Sequence, residues 1–499
     1  MTDRDERAQR IVDGLLAQPW GRSSPSVYET GRLVALTPWL AGHDARVRHL
    51  LAAQRPDGGW GPPDGPGYRI VPTLSAVDAL LSEGGPAALE AAEKGLVYVR
   101  GLLSELPPLP DMPALELISA SLIRAVNARR PDAVPVPPDL DDGTLDLVRA
   151  AATDGRALPV KLLHALEILG PDAVGLATAP VEPTGTVGAA PAATAAWLGP
   201  QEPPPSHPAR RFLETAARQY GGPVAPGVPI TVFERGWVLI ALARAGLDFT
   251  PHPDLLLSLS GSLGEHGAPA AAGLPPDADT TSGALYALDW LGAPVAPDML
   301  LSYETETHFC TWPGEQGRSV TTNAHVLEAF GRALERGANS RYEAAAAKAA
   351  AFLRATQRPE GFWDDRWHVS PYYATMSAAL ALAAYGGPES AETVAGAVAW
   401  VRATRGADGG WGGRGATAEE TAFALHVLLL ADPDGAGPDD PDVRAGAAFL
   451  DRWNGTHPAL WHDKDLYLPV AIVEATVLAA ARLAGAAPGH ARSHRALVT

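Results

Sequence analysis

The sequence almost lacks cysteine, since Cys310 is the only one among 499 residues. A single thiol cannot form an intramolecular disulfide or supply a cysteine-rich zinc site, and such cysteine usage is typical of a reducing compartment. The first ten residues, MTDRDERAQR, are charged and do not resemble a secretory signal peptide. We therefore expect a soluble, cytoplasmic protein.

Positive charge and long apolar runs are also scarce. Lys plus Arg number 39 against 57 Asp plus Glu, a formal net charge of −18, and no basic run offers the groove that a nucleic acid requires. The most apolar stretch contains Glu474 and Arg482 and falls short of the ~20 apolar residues of a membrane-spanning helix. These patterns argue against a nucleic-acid partner and a membrane span. Hydrophobic residues still make up 46% of the chain, which predicts a folded protein with more than one core.

Alternating β-branched residues, which indicate strands, are nearly missing as well. Instead, apolar residues spaced three and four apart recur in Ala- and Leu-rich segments that Gly, Pro and Asp separate. These segments resemble one another, which favours helical hairpins stacked in a closed ring or a solenoid. The sequence thus predicts an all-α protein. Pro and Gly clusters predict a domain boundary within 200–229 and a surface loop at 131–142.

Three loops share a Gly-rich pattern that ends in Trp. QRPDGGW occupies 54–60, QRPEGFW occupies 357–363, and RGADGGW occupies 405–411, where Arg405 stands in the place of Gln. We expect the Gln to cap a helix end while the indole packs on the neighbouring hairpin. One copy fits an ordinary turn with a packed Trp equally well, but three copies predict a structural repeat.

With these features the sequence resembles the class II terpene cyclases over nearly its whole length. The three loops are similar to the QW repeats of that family, and PPDADTTSGAL at 275–285 resembles its DxDD motif at the head of a helix. Six further segments follow the family order and resemble its diterpene branch: SVYETGRLVAL (26–36), PVKLLHALEIL (159–169), VFERGWVLIALARAGL (232–247), HFCTWPGE (308–315), DRWHVSPYYATMSAALAL (365–382) and GATAEETAFAL (415–425).

The resemblance implies two α/α-barrel-like domains, β and γ, with the active-site cavity between them. It implies an N-terminal helix at 1–22 that joins the β domain, a γ domain at 23–219, and a β domain at 220–499 that carries the DxDTT motif. The chain is too short for the family's third domain, in which a DDxxD motif ionises diphosphates. LDDGTLD at 140–146 superficially suggests metal-binding aspartates, but its Pro-rich surroundings favour a solvated loop.

Protonation of an alkene needs a carboxylic acid that is protonated beforehand and strongly acidic when the proton leaves. Asp277 and Asp279 precede a helix, so the residues alone also fit ordinary N-capping. The resemblance implies that Asp279 is the general acid, that Asp277 tunes it, and that Thr280 replaces the last Asp of the motif. It further implies a hydrogen bond from His325 to Asp279, the alternative being an ordinary interior histidine.

His164 falls where the family's copalyl diphosphate synthases place a catalytic base that works with an Asn. The aligned position near Pro226 offers no amide, so packing alone is an equal alternative for His164.

The resemblance also implies an aromatic cavity for carbocations and a polar site for a diphosphate. An acidic segment at 104–118 is similar to the family's magnesium segment, which makes Mg²⁺ the implied cofactor. Plain solvated surface is the alternative for every charged candidate. The implied aromatic residues are Trp237, Phe309, Trp312, Trp367, Tyr372 and Tyr373, the diphosphate residues Arg69, Lys161, Arg366 and Lys464, and the metal ligands Glu105, Asp111 and Glu116.

The implied reaction is a protonation-initiated cyclisation of a linear prenyl diphosphate that keeps its diphosphate. The DxDTT variant is similar to that of drimenyl diphosphate synthases, which predicts conversion of farnesyl diphosphate to drimenyl diphosphate. The alternative is a copalyl-type product from geranylgeranyl diphosphate. Three competing classes are a zinc prenyltransferase subunit, an α-barrel carbohydrate-active enzyme and a non-catalytic helical-repeat binding protein. The sequence leaves a homo-oligomer open.

Overall fold

The computed structural model describes residues 2–138, 140, 142–315, 317–432 and 435–485. This part of the chain is mostly helical and contains only one two-stranded antiparallel sheet, formed by β1 (Trp461–His462) and β2 (Leu466–Tyr467), so the prediction of an all-α protein is confirmed. The α-helices are α1 (Asp3–Ala17), α2 (Val27–Leu36), α3 (His43–Ala53), α4 (Ile70–Glu83), α5 (Pro86–Ser104), α6 (Leu115–Arg129), α7 (Asp142–Thr153), α8 (Pro191–Leu198), α9 (Pro208–Gln219), α10 (Thr231–Arg244), α11 (Pro253–Ser262), α12 (Ala278–Trp290), α13 (Val320–Arg336), α14 (Ser340–Thr356), α15 (Pro371–Tyr385), α16 (Ala391–Ala403), α17 (Ala418–His426), α18 (Pro441–Arg452) and α19 (Val470–Ala484). Tighter 3₁₀ segments span Pro66–Arg69, Val160–Ala173, Pro297–Tyr303 and Pro388–Ser390, and a π-helical turn spans Val427–Ala431.

Six helices form a closed ring in the C-terminal part, called here the C-terminal ring. In order around the ring these are α10, α12, α13, α15, α17 and α19, and α19 packs back against α10. The helices α11, α14, α16 and α18 each pack on one or two members of the ring. The N-terminal helix α1 packs on α10 and α19, and its Ala8, Val12 and Leu15 belong to the hydrophobic core of this ring.

A second ring, called here the N-terminal ring, is formed by α2, α4, α6, the 3₁₀ segment Val160–Ala173 and α8, which packs back on α2. The helices α3, α5, α7 and α9 cover it from outside. A small separate core joins α9 to this ring through Phe212, Leu213 and Val224. The sequence-based domain limits at 22/23 and 219/220 stay a prediction.

The Trp residues of the three Gly-rich loops are completely buried and cap helices. The last carbonyls of a helix have no partner within it, so an indole N–H that reaches them satisfies an otherwise orphaned acceptor. Each indole N–H donates, at 2.7–2.8 Å, to a carbonyl in the last turn of the preceding helix: Trp60 to Leu50, Trp363 to Leu353 and Trp411 to Val401.

The Gln residues of the first two loops cap helix ends, as predicted: Gln54 is the C-cap of α3, with its backbone N–H donating to the Leu51 carbonyl, and Gln357 is the C-cap of α14. The Gln54 amide donates to the Gly58 carbonyl of its own loop and to the Ala91 carbonyl inside α5, both at 2.8 Å. Gln357 makes the equivalent pair of hydrogen bonds in its repeat. The Gln therefore caps its own helix and also ties the loop to the neighbouring helix, while the indole adds a hydrogen bond at the same helix end.

The segment at 140–146 is not the predicted solvated loop. The helix α7 begins at Asp142, Leu145 is completely buried, and the Asp146 carboxylate accepts a hydrogen bond from Arg124 at 2.6 Å. Apolar residues at 145, 148 and 152 give this stretch a packing face that outweighs its Pro-rich surroundings. Asp141 lies outside the described residues. Across the described part of the chain, no helix combines the length and the apolarity that crossing a membrane would need.

Candidate active site

A cavity of about 640 Å³ takes its walls from both rings. The N-terminal ring contributes residues near 111–117 and 161–165, and the C-terminal ring contributes the start of α12 and the strands β1 and β2. Much of the wall is apolar, which suits a long hydrocarbon chain and keeps water away from a reactive cation. Apolar residues on the wall include Met112, Leu162, Ile230 and Leu274.

Asp277 and Asp279 stand at the start of α12 and have different structural tasks. Asp277 is the N-cap, and its Oδ1 accepts a hydrogen bond from the Thr280 backbone N–H at 2.6 Å. Asp279 lies in the first helical turn and lines the cavity. The N-capping interpretation therefore holds for Asp277, while Asp279 contributes its carboxyl group to the cavity.

His325 contacts Asp279, as the resemblance to the family implied. Helix α13 packs beside α12 and places His325 Nδ1 2.7 Å from Asp279 Oδ1. The imidazole stands edge-on to the Trp237 ring, with 5.0 Å between the centroids. Burial lowers the pKa of His325, but the charge of Asp279 and the hydrogen bond to it outweigh burial, so the pKa lies above its ordinary value. A histidine in this state is a strong donor to the Asp279 oxygen.

Electrostatics keeps a proton on the pair of aspartates. Burial, followed by the nearby charge of Asp279, raises the pKa of Asp277 to about 8. Two neighbouring carboxyl groups in a dry site resist ionising together, so near neutral pH the pair retains at least one proton. Of the two carboxyl groups that share this proton, Asp279 has the position in the first turn of α12 that faces the cavity.

Asp365 is a third carboxyl group near this site, half-buried, and sequence reasoning missed it. It accepts hydrogen bonds from the Val320 backbone N–H at 2.6 Å and the Thr321 hydroxyl at 2.9 Å, at the start of α13. Burial is the main cause that raises its pKa to about 6, and the charge of Asp279 adds to it. Asp365 thus anchors the helix that carries His325. The signal was available in the 365–382 segment, from which only neighbouring residues were chosen.

Half of the predicted aromatic residues line the cavity, namely Trp312, Trp367 and Tyr373. The faces of their rings can stabilise a carbocation as they would any other cation. The structure adds three aromatic residues that sequence reasoning missed: Phe233, Trp461 and Tyr467.

The other three aromatic predictions are corrected by the structure. Trp237 does not line the cavity. Its indole N–H donates to the hydroxyl of Tyr373, which does line it, at 2.9 Å. Tyr372 and Tyr373 point to different sides because successive helical residues are rotated by about 100°. Phe309 packs in the core against Phe330, and Tyr372 packs against Trp400.

Charged residues lie on the more exposed part of the cavity wall. The structure brings four of the predicted charged residues together on this wall: Lys161, Arg366, Asp111 and Glu116. Arg366 donates to Asp111 at 2.8 Å and to Glu315 at 3.0 Å. This side of the cavity therefore offers both cations for an anionic group and carboxylates for a metal ion.

Lys464 is not available to a substrate, which corrects its assignment. Its side chain is completely buried, and Nζ lies 2.5 Å from Glu29 Oε1 and 2.8 Å from Glu167 Oε1. A buried ammonium group needs such partners, since an unpaired charge in a dry interior is costly. The charge of Lys464 is thus neutralised by two carboxylates of the N-terminal ring, and these ion pairs join the two rings.

Arg69 and Glu105 are also displaced from the predicted site. Arg69 is buried and forms two hydrogen bonds, of 2.8 and 2.7 Å, with the Asp57 carboxylate. Glu105 ends α5 on the exposed surface and is not part of the cavity wall. Both residues come from segments whose resemblance carried no information about which way each side chain points.

His164 lines the cavity and is paired with a residue that sequence reasoning missed. Its Nε2 lies 2.8 Å from Asp463 Oδ1, and its Nδ1 lies 2.7 Å from the Gly188 carbonyl oxygen. Burial lowers the pKa of His164, but the Asp463 charge outweighs burial and the net shift is upward. The partner is therefore Asp463, not the amide sought near Pro226. Because 299 positions separate the pair along the chain, no local pattern could have revealed it.

The chain is similar to known proteins over most of its length. Residues 317–428 match the family model described as the squalene-hopene cyclase C-terminal domain. Over 498 residues the chain is 43% identical to the ent-copalyl diphosphate synthase of Streptomyces sp. strain KO-3988, and the match covers 94% of each chain. The chain belongs to the class II terpene cyclases. It is also 41% identical to the labda-7,13-dienyl diphosphate synthase of Streptomyces clavuligerus, over 94% of this chain and 91% of that one.

A solved structure supports the same family. The ent-copalyl diphosphate synthase from Streptomyces platensis superposes with a TM-score of 0.91 at 39% identity, and the match covers 97% of this chain and all of that one. Two rings with a cavity between them are thus the architecture of a class II terpene cyclase. Because the chain belongs to this family, the alternatives of a zinc prenyltransferase subunit and of an α-barrel carbohydrate-active enzyme are rejected. Cys310 is indeed buried, with its thiol directed at the Tyr303 carbonyl 3.2 Å away.

The prediction that farnesyl diphosphate is converted to drimenyl diphosphate is wrong. The similar enzymes are named for diterpene products, including a copalyl diphosphate synthase of Streptomyces cyslabdanicus at 34% identity, and they favour the alternative stated with that prediction. The error came from reading substrate length from Thr280. In the structure Thr280 lies on the cavity wall beside Asp279, and a residue at the acid does not by itself set the distance from the acid to the site of the diphosphate.

Proposed function

We propose that this chain is a diterpene cyclase that converts geranylgeranyl diphosphate to a copalyl-type diphosphate. The observation that carries the proposal is the Asp279 carboxyl group on the wall of an apolar cavity, with the His325 imidazole 2.7 Å from its Oδ1. The diterpene products named for the similar enzymes support the choice of a twenty-carbon substrate.

The first step is transfer of a proton from Asp279 to the terminal alkene. His325 occupies Oδ1, and none of the described residues forms a hydrogen bond to Oδ2, so Oδ2 is the oxygen that carries the proton. As the proton leaves, negative charge develops on the carboxyl group, and the His325 N–H stabilises it in place.

The cation formed in this step moves along the chain as the two rings of the product close. The aromatic faces of Trp312, Trp367 and Tyr373, with those of Phe233 and Trp461, stabilise it without offering a nucleophile. A cavity of this kind is needed because any mobile water near the cation would trap it as an alcohol.

The diphosphate group stays on the substrate and is placed at the charged part of the wall. Lys161 and Arg366 are the cations there, and Asp111 and Glu116 are carboxylates of the type that holds Mg²⁺ together with phosphate oxygens. Two carboxylates fit a shared Mg²⁺, which when bound would neutralise the diphosphate and anchor it. Arg366 would then exchange its contact with Asp111 for one with the diphosphate.

The test is incubation of the purified chain with geranylgeranyl or farnesyl diphosphate, followed by phosphatase treatment and mass spectrometry. We expect a bicyclic twenty-carbon alcohol, a specificity constant for geranylgeranyl diphosphate at least about tenfold higher, and no release of pyrophosphate. The Asp279→Asn variant should make no product, whereas Asp277→Asn should be slowed. Recovery of substrate alone from the folded chain would favour a binding protein instead. A cytoplasmic location, inferred from the single cysteine, belongs to the same proposal.

A further inference from the structure

The cavity wall carries a second pair of carboxylate and imidazole groups besides Asp279 and His325. It consists of Asp463, in the turn between β1 and β2, and His164, in the N-terminal ring. Asp463 Oδ1 lies 2.8 Å from His164 Nε2. Neither residue takes part in protonating the alkene, so the pair is free for another step on the same substrate.

His164 cannot accept a proton in this arrangement. Its Nδ1 faces the Gly188 carbonyl oxygen at 2.7 Å, and its Nε2 faces the Asp463 carboxylate. Both partners are acceptors only, so both ring nitrogens must carry hydrogen and donate. An imidazolium has no lone pair on nitrogen, and His164 is therefore not a base.

Asp463 has one oxygen occupied and one open. Oδ1 accepts from His164 and from the Lys464 backbone N–H, the latter at 2.7 Å, whereas no described residue donates a hydrogen bond to Oδ2. Gly227 lies beside Oδ2 on the same cavity wall, and a Cβ at that position would come within 2.8 Å of this oxygen. The absence of a side chain at Gly227 thus leaves room for a substrate carbon to approach Oδ2.

We propose that Asp463 is the catalytic base that ends the cyclisation and that His164 is the positioning residue that fixes its carboxylate. In this step a C–H bond next to the bicyclic tertiary cation breaks, and its electron pair forms the new C=C bond at the cationic carbon. The proton moves to Asp463 Oδ2 and passes to water before the next turnover. This proposal rests on the proposed function.

The surroundings keep Asp463 ionised for this task. Burial raises the pKa of Asp463, but the positive charges of His164 and Lys464 outweigh burial and lower it. A low pKa is no obstacle, because a C–H bond beside a tertiary cation is far more acidic than a carboxylic acid. Position and ionisation of the carboxylate therefore decide the step. Asp279 also contacts an imidazole, but its second charged neighbour is the acidic Asp277, whereas that of Asp463 is the cationic Lys464.

The test compares the products of Asp463→Asn with those of the wild type and of a matched control, Asp465→Asn. Asp465 lies in the same turn but faces Ser26, with 3.0 Å between its carboxylate and the Ser26 hydroxyl, and is not part of the cavity wall. A positioned base contributes about 10²–10⁴-fold to a proton transfer, so Asp463→Asn should lower the share of the wild-type olefin at least about tenfold. Alcohols from water capture, or isomers of the double bond, should replace it while consumption of substrate continues. Asp465→Asn should keep the wild-type product.

An unchanged product from folded Asp463→Asn would overturn the proposal. If that variant does not fold, Gly227→Ala is the second test, because its methyl group would crowd Oδ2 without altering any charge; the φ of +50° at Gly227 strains an alanine there, so folding of this variant is checked by circular dichroism. An unchanged product from Gly227→Ala would also count against Asp463. If the wild type itself makes no bicyclic diphosphate, the proposed function has failed, whereas a bicyclic product that is the same in all variants refutes only the assignment of the base.

Discussion

Removal of the His325 imidazole is the most informative perturbation of the proposed acid. The hydrogen bond between Nδ1 and Asp279 Oδ1 is 2.7 Å long and lies in a largely buried site. A preorganised, charge-assisted donor at such a place stabilises a developing negative charge by about 2–4 kcal/mol. At about 1.36 kcal/mol for each factor of ten, His325→Leu should lower kcat by about 30- to 900-fold.

The assay is steady-state turnover of geranylgeranyl diphosphate, with products measured by mass spectrometry after phosphatase treatment. The Michaelis constant should change little, because the lost interaction is strongest in the transition state and hardly affects substrate binding. His325→Asn is the matched control, since Asn is close to Leu in size but retains an N–H donor. It should therefore keep more activity than His325→Leu.

Equal losses in the two His325 variants would refute the reasoning, because a packing defect cannot distinguish a donor from an isosteric apolar group. Folding of each variant is checked by circular dichroism and thermal melting. A kcat near that of the wild type for His325→Leu would show that Asp279 does not need the imidazole at all.

Three further predictions concern charge and metal. The pKa of Asp277 is 3.8 when unfolded and about 8 when folded, so its contribution to stability is complete below about pH 4 and is lost as the pH rises towards 8. Asp277→Asn retains the cap and does not ionise. Calorimetry should therefore show its melting temperature rising relative to that of the wild type as the pH increases from about 4 to about 8. Lys464→Met leaves two buried carboxylates without their cation and should lower the free energy of unfolding by about 3–5 kcal/mol in urea titrations, whereas Lys94→Met, in an exposed pair, should change it little. Chelation of Mg²⁺ should raise the Michaelis constant while the product keeps its diphosphate, and pyrophosphate released in step with cyclisation would contradict this.

Local sequence was sufficient for features that depend on neighbours along the chain. Apolar spacing predicted the helices, the Gly-rich loops predicted buried Trp residues, and the order Asp, Ala, Asp, Thr predicted a helix start. The resemblance to a family added the contact between Asp279 and His325, which the structure contains. The sequence could not predict the direction of a side chain where packing decides it. Tyr372 and Tyr373 therefore received the same prediction, although only Tyr373 lines the cavity.

The sequence alone determined the helical class, the positions of the breakers and the acidic pair at the start of α12, because hydrogen bonds and periodicity within a dozen residues decide them. Only the tertiary structure decided which charges remain available. Lys464 lost its predicted task because Glu29 and Glu167 of the other ring neutralise it, and His164 gained Asp463 from 299 positions away. The physical reason is that the state of a charge is set by its burial and its partners in space, and the partners in this cavity come from both rings.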